Sequence, residues 1–421
     1  MQPNGDFLNT KVDGNGQLAL SPELASRYGV KPGDFIHIDD SPDGLHIYRP
    51  SRLSKLYIEP TNQCNLDCRT CLRNVWDEPM GKMSEPVFAR IIKGLRDFSP
   101  TPKIFFGGLG EPLFHPRIVD MVTQVKALGA SVELITNATL LSKSLSQELI
   151  KTGLDMLWVS IDGATPKSYA DIRLGAALPQ VLENLHQFQK LLYAKGGYYG
   201  SQGLSPKTQL GITFVAMKRN ITDLPQVIDI GQRLGAEHFM VTNILPYTRE
   251  MMNEALYYEA INQSTYGHLS LPRMDLDETT HSIIYETLHN IYGTYAGLLS
   301  ENARNRCPFI ANGAGAISWD GNFSPCLPLL HSHTSYLGYL HYYERFSKRW
   351  AVGNVTERSL LDIWNTPEHI AFRERVQAFD FSPCATCGSC EWVEKNEEDC
   401  FGNKFPTCGG CLWAQGVIQC P

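Results

Sequence analysis

Three of the chain's twelve cysteines fall within eight residues, at Cys64, Cys68 and Cys71; the other nine all follow residue 306. A disulfide framework would staple the whole chain, whereas two dense and separate groups suit two metal-bearing regions. Thiols kept reduced in a cytosol are better read as metal ligands than as disulfides. The stretch Met1 to Thr10 is polar, with no basic and apolar leader pattern. No apolar run approaches the roughly 20 residues that span a bilayer. The expectation is a cytoplasmic chain with no membrane partner.

At 421 residues the chain exceeds what one core organises and is expected to form two or three domains. Apolar residues make up 43% and charged residues 19%, the usage of a compact globular protein. A net charge of -7 and a pI near 6.0 leave no basic footprint for nucleic acid.

From Lys55 to Pro246, β-rich runs alternate with amphipathic stretches, the pattern of repeated βα units and a parallel sheet. The expected strands are KLYIEP, KIFFGG, SVELIT, MLWVSI, QLGITFV and HFMVTNI, six units that fit an α/β fold with a partial barrel. Between the first two, Ser84 is expected to N-cap a helix with Pro86 in its first turn and Val87, Phe88, Ile91, Ile92 and Leu95 on its apolar face. GGYYGSQGLSP (196 to 206) reads as a loop, and residues 247 to 305 as largely helical. Ligands gather where parallel strands end. Cys64, GGLGEP, Thr136-Asn137 and Ser160-Ile161-Asp162 all follow strands and are expected to share one cleft.

CNLDCRTC is C-x3-C-x2-C, a spacing that lets one loop place three thiolates around three irons of a [4Fe-4S] cube, leaving a fourth iron open. A three-cysteine zinc site or buried free thiols are the plainer readings. LYIEPTNQCNLDCRTC followed by FFGGLGEP resembles the radical S-adenosylmethionine (SAM) superfamily over about residues 55 to 246. The resemblance implies that the open iron binds SAM and passes an electron into its sulfonium. Thr70 stands where that family often has an aromatic residue before the third cysteine.

Gly107, Gly108 and Gly110 let backbone approach a ligand, and Glu111 is expected to accept a hydrogen bond from the SAM amine; by resemblance this is the methionine-binding turn. A plain tight turn is the alternative. Ser160 and Asp162, alternating at a strand end, are read as ribose contacts, against an ordinary Asp-Gly turn. Asn137 and Arg173 match positions that touch ribose or carboxylate in similar enzymes, against turn and ion-pair roles. Glu59 is open to either reading.

The later cysteines are Cys307, Cys326, Cys384, Cys387, Cys390, Cys400, Cys408, Cys411 and Cys420. Cys307, Gly321 and Cys326 resemble the opening of a SPASM domain, and GNVTERSLLDIWNTPE is similar to its linker. The resemblance implies one or two auxiliary [4Fe-4S] clusters, with the later spacing departing from the family's usual run. Zinc ribbons are the alternative, because two C-x2-C pairs can make a four-thiolate site.

Residues 1 to 50 read as a separate β-rich module with turns at Gly14-Asn15-Gly16 and Pro42-Asp43-Gly44. TKVDGNGQLALSPELASRYGVKPGDFIHI resembles the AbrB-like swapped-hairpin domain, which commonly binds DNA as a dimer. Four basic residues against seven acidic ones make a poor phosphate binder, so protein docking or homodimerisation is expected instead. The partition is then 1–50 module, 51–250 radical SAM core, 251–305 helical connection and 306–421 SPASM-like domain.

The whole pattern resembles radical SAM maturases associated with tungsten-containing oxidoreductases. That resemblance implies modification of a tungsten-pterin cofactor or a peptide of the partner enzyme, with a reductase or ferredoxin as electron donor. The alternatives are a sulfatase-maturase type of peptide modification, an iron-sulfur electron-transfer protein, or an AbrB-like redox-responsive regulator. The sequence singles out no general acid or base.

Overall fold

The computed structural model describes residues 14, 18–22, 37–41, 44–48, 52–194, 208–257, 262–266, 269–275, 277–292, 306–337, 343–387 and 390–421. It divides into two units, Met1–Arg52 and Leu53–Pro421. In the first, β1 (His37–Ser41) and β2 (Gly44–Tyr48) pair antiparallel, with Ser41 opposite Gly44. The hairpin brackets the expected turn at 42 to 44. Most of the remaining AbrB-like pattern, including Asn15-Gly16 and VKPGD, lies outside the described residues, as does the 196 to 206 loop.

In the second unit β3 (Lys55–Ile58), β4 (Lys103–Phe106), β5 (Val132–Thr136), β6 (Met156–Ser160), β7 (Gln209–Ala216) and β8 (His238–Asn243) lie side by side in chain order, every pair parallel. These are the six strands expected from the βα alternation. The sheet stays open rather than closing on itself: β9 (Asn262–Tyr266) and β10 (Leu269–Met274) extend it beyond β8, and β11 (Ala314–Ile317) joins β3 in parallel. Beyond β11 lies β12 (Asn322–Ser324). A separate hairpin pairs β13 (His333–Leu337) with β14 (Tyr343–Ser347), and β15 (Gly353–Asn354) ends the large sheet beside β12.

Among the described residues, the stretch expected as a helical connection is mixed rather than wholly helical. Helix His281–Tyr292 is present, but β9 and β10 precede it. NQSTY and LSLPRM carry little helical periodicity, and the free edge of β8 supplies a pairing partner that local propensity does not reveal.

Alternation along the strands divides the side chains between two cores. Leu56, Ile58, Ile104, Phe106, Leu134, Val159 and Phe214 pack with the helices on one face. Burying each such side chain contributes about 1.5–3 kcal/mol. Helix Glu85–Leu95 packs there through Phe88, Ile91, Ile92 and Leu95, and Ser84 occupies its N-cap without a hydroxyl cap bond. The other face, with Tyr57, Phe105, Met156 and Trp158, packs against Phe309, Ile310, Leu329 and Phe372 of the C-terminal region. Residues 417–421 run along that face. Gln419 N donates to Thr242 Oγ1 (2.9 Å), and Lys55 Nζ and Tyr57 Oη reach Pro421 O at 2.6 and 2.7 Å. No described helix is long and apolar enough to cross a membrane.

Candidate active site and iron-sulfur centres

The cysteine loop leaves the C-terminal end of β3 and is held by backbone bonds to its neighbours. Gln63 O accepts from Glu111 N (2.9 Å), Ile172 O from Arg69 N (2.8 Å) and Pro60 O from Met83 N (2.7 Å). Cys68 is buried, and Cys64 and Cys71 are half-buried. Each thiol has a polar neighbour. Leu66 N donates to Cys64 Sγ at 3.4 Å, and Asn137 Nδ2 stands 3.8 Å from it. Arg173 Nη1 lies 3.9 Å from Cys68 Sγ, and Arg73 Nε 3.2 Å from Cys71 Sγ. Burial pushes the Cys64 thiol up to about 11 and raises that of Cys68, so iron binding must displace protons there.

The turn after β4 meets this loop at backbone distance. At Gly110 a Cβ would lie 2.1 Å from Thr61 O, and at Gly108 it would lie 2.6 Å from Glu59 Oε1. Glu111 is buried and has three protein donors. Leu113 N and Thr136 Oγ1 reach Oε1 at 2.9 and 2.7 Å, and Asn137 N reaches Oε2 at 2.7 Å. Its carboxylate thus knits the turn to the end of β5.

Asp162 is likewise engaged. Oδ1 accepts from Val215 N (2.8 Å) and Oδ2 from Arg173 Nε (2.6 Å), with no solvent exposure. Burial opposes the Arg173 charge, but Asp162 and Cys68 outweigh it and hold its basicity above the usual guanidinium range. Ser160 faces Thr213 Oγ1 at 3.1 Å. The strand-end groups expected to share one cleft are thereby joined: Asn137 to Cys64, Arg173 to Cys68, and Glu111 to both the cysteine loop and β5. Their observed partners make Glu111 and Asp162 braces of that cleft.

A charged link that sequence reading does not reveal joins the cleft to the C-terminal region. His331 is buried between two carboxylates, with Nε2 2.8 Å from Glu59 Oε2 and Nδ1 2.7 Å from Glu78 Oε2. Burial disfavours its charge, yet the two carboxylates raise it to about 9, so it is an imidazolium at neutral pH. Glu59 Oε1 also accepts from Leu109 N of the glycine turn (3.0 Å), and Trp76 packs edge-on to the imidazole at 4.6 Å.

In the C-terminal region Cys307, Cys326, Cys408 and Cys411 line one cavity with Phe309, Leu329 and Arg345. Burial pushes Cys307 up to about 12 and raises Cys326, Cys408 and Cys411. Cys384 lies apart, with Ser382 Oγ 2.9 Å from its sulfur, and Cys390 and Cys400 are exposed. The Cys387 side chain lies outside the described set. Cys420 Sγ accepts from Trp413 Nε1 at 3.3 Å. Among the described residues no three cysteine, histidine or carboxylate side chains converge on a single ion. Ligands of a cube each bind a different iron and need no such convergence.

Residues 58–208 match the radical SAM superfamily, and residues 307–391 match SPASM, an iron-sulfur cluster-binding domain. The tungsten-containing aldehyde ferredoxin oxidoreductase cofactor-modifying protein of Pyrococcus furiosus is 31% identical over 87% of this chain and 96% of that protein. The chain belongs to the radical SAM superfamily. The Fe-coproporphyrin III synthase of Methanosarcina barkeri is 23% identical over 84% of each protein. Streptococcus suis SuiB bound to S-adenosylmethionine shares the fold, with a TM-score of 0.51 and 16% identity over 82% of this chain and 72% of that one.

As a radical SAM enzyme with a SPASM domain, the chain takes a [4Fe-4S] cluster, SAM and auxiliary iron-sulfur clusters. The donor set fits them: three thiols on one loop beside a glycine turn, and buried thiols around a separate cavity.

Proposed function

We propose that this radical SAM maturase modifies a tungsten-pterin cofactor or a peptide of a partner oxidoreductase. The observation that carries the reading is the similarity, along nearly the whole of both chains, to the Pyrococcus furiosus cofactor-modifying protein. When bound on Cys64, Cys68 and Cys71, the cluster with SAM supplies reductive cleavage of the sulfonium and hence a carbon radical.

The chain's own residues then have distinct tasks. Gly107, Gly108 and Gly110 bring backbone to the methionine end of SAM, while Glu111 fixes that turn against β5. Asn137 and Ser160 offer polar groups to SAM from the strand ends. Arg173, held by Asp162, places positive charge beside Cys68 and offsets the thiolate charge of the loop. Arg73 does the same beside Cys71.

The first auxiliary site takes Cys307, Cys326, Cys408 and Cys411, supported by their shared cavity. The second draws its ligands from Cys384, Cys387, Cys390, Cys400 and Cys420. Residues 1–50 form an AbrB-like docking or dimerisation module ahead of the 51–250 core, the 251–305 connection and the 306–421 auxiliary domain. The electron donor is a reductase or ferredoxin.

The test is anaerobic incubation of the iron-reconstituted protein, SAM and reductant with a tungsten oxidoreductase, its free cofactor or its peptides, followed by mass spectrometry. A SAM-dependent mass change in the cofactor or a peptide supports the reading. SAM turnover with no change in any of the three counts against it.

A further inference from the structure

Arg345 lies on β14 and is only 3% exposed. Its Nη1 donates to Val393 O at 2.5 Å, and its guanidinium lines the cavity of Cys307, Cys326, Cys408 and Cys411. The chain makes room for it: a Cβ at Gly410 would lie 2.7 Å from Arg345 Cζ. Among the described residues no carboxylate forms an ion pair with it.

A guanidinium cannot shed its proton in a protein, so burial cannot be relieved by neutralisation as it can for lysine. A buried cation without an anion is strongly destabilising. Neutral thiols cannot offset that cost; thiolate-bound clusters, which carry net negative charge, can.

We propose that Arg345 is the counter-ion of the auxiliary cysteine set whose cavity it lines and that its charge raises the reduction potential of the cluster this set holds. The inference rests on the auxiliary-cluster reading above. Each cluster becomes more negative by one charge when it accepts one electron, and a fixed cation in a low-dielectric wall stabilises the reduced form more than the oxidised one. Lining that cavity, Arg345 favours electron entry into the cluster held there.

The test is an anaerobic redox titration of the full-length reconstituted protein, followed by electron paramagnetic resonance, using the signals that SAM addition leaves unchanged. Arg345→Gln is expected to keep its iron and shift an auxiliary potential negative, by roughly tenfold in the one-electron equilibrium, about 59 mV. Arg345→Lys is expected to restore most of the shift. Unchanged potentials in an iron-replete Gln variant overturn the proposal. Should the Gln variant lose iron, the Lys variant decides: iron near the parent level supports a need for charge, whereas equal loss shows that packing alone holds the site and overturns it. A parent protein with iron for one cluster only would instead sink the auxiliary-cluster reading, and the counter-ion with it.

Discussion

The two cysteine regions are built in opposite ways. Cys64, Cys68 and Cys71 sit on a loop already framed by β3, the glycine turn and residues 172 to 174, through backbone hydrogen bonds that need no metal. Among the described residues after 380 the helical elements are two short turns, Cys384–Cys387 and Glu391–Glu394, and Cys408 and Cys411 of this stretch line one cavity together with Cys307 and Cys326. The first is a site placed on a scaffold; in the second, the site is much of the scaffold. Metal should therefore matter for chemistry in the first region and for both chemistry and folding in the second.

The sharpest way to break this contrast is Cys68→Ala. It should abolish 5'-deoxyadenosine formation, leaving only background, while circular dichroism and thermal midpoint stay near the parent values. A variant that unfolds would show the loop to be structural after all.

Next in size is Cys326→Ala or Cys411→Ala. Either should lower iron content and thermal stability together, since a ligand and part of the core are removed at once. Among folded variants SAM cleavage should continue while partner modification stops. Loss of zinc with iron unchanged would favour zinc ribbons instead.

A smaller effect is expected at the junction of loop and turn. Gly110→Ala forces a Cβ against Thr61 O, and relieving that contact should cost about 1–3 kcal/mol. Calorimetry should show a lower thermal midpoint and weaker SAM binding; unchanged SAM affinity would separate the turn from the cofactor.

The smallest effect concerns the link between the regions. His331 faces Glu59 and Glu78, with His333 Nδ1 on its backbone oxygen (3.2 Å) and Arg349 3.8 Å from Glu78. Its folded pKa of about 9 exceeds the unfolded value near 6.5. The stabilisation it adds is therefore fully present below about pH 6.5 and is lost as pH rises through 9. His331→Gln should lower stability at pH 7 and flatten the fall between pH 7 and 10, read by anaerobic denaturant titration. An unaltered pH slope would remove the imidazolium from the account.

Much of this was legible in the sequence because its signals are local. The six parallel strands follow from β-rich runs between amphipathic helices, and the cysteine loop from three thiols in eight residues. β9 and β10 were not legible, because their strand character comes from the waiting edge of β8. Nor was the Glu59–His331–Glu78 link, whose members lie up to 272 residues apart. Glu111 and Asp162 could be placed beside the site from their motifs. That their oxygens are already occupied by Thr136, Asn137, Val215 and Arg173 depends on strand register, which one sequence does not state. Arg345 had no signal at all, since a lone arginine in YERFS looks like any surface residue.

The most direct test of the central claim is anaerobic incubation of the reconstituted full-length protein with SAM and a strong reductant, following 5'-deoxyadenosine and methionine. The account predicts both products, in equal amounts and with a dependence on reductant, from the parent and from folded variants of the auxiliary cysteines. An iron-replete parent that forms neither, or auxiliary variants that keep the N-terminal cluster yet cannot cleave SAM, would contradict it.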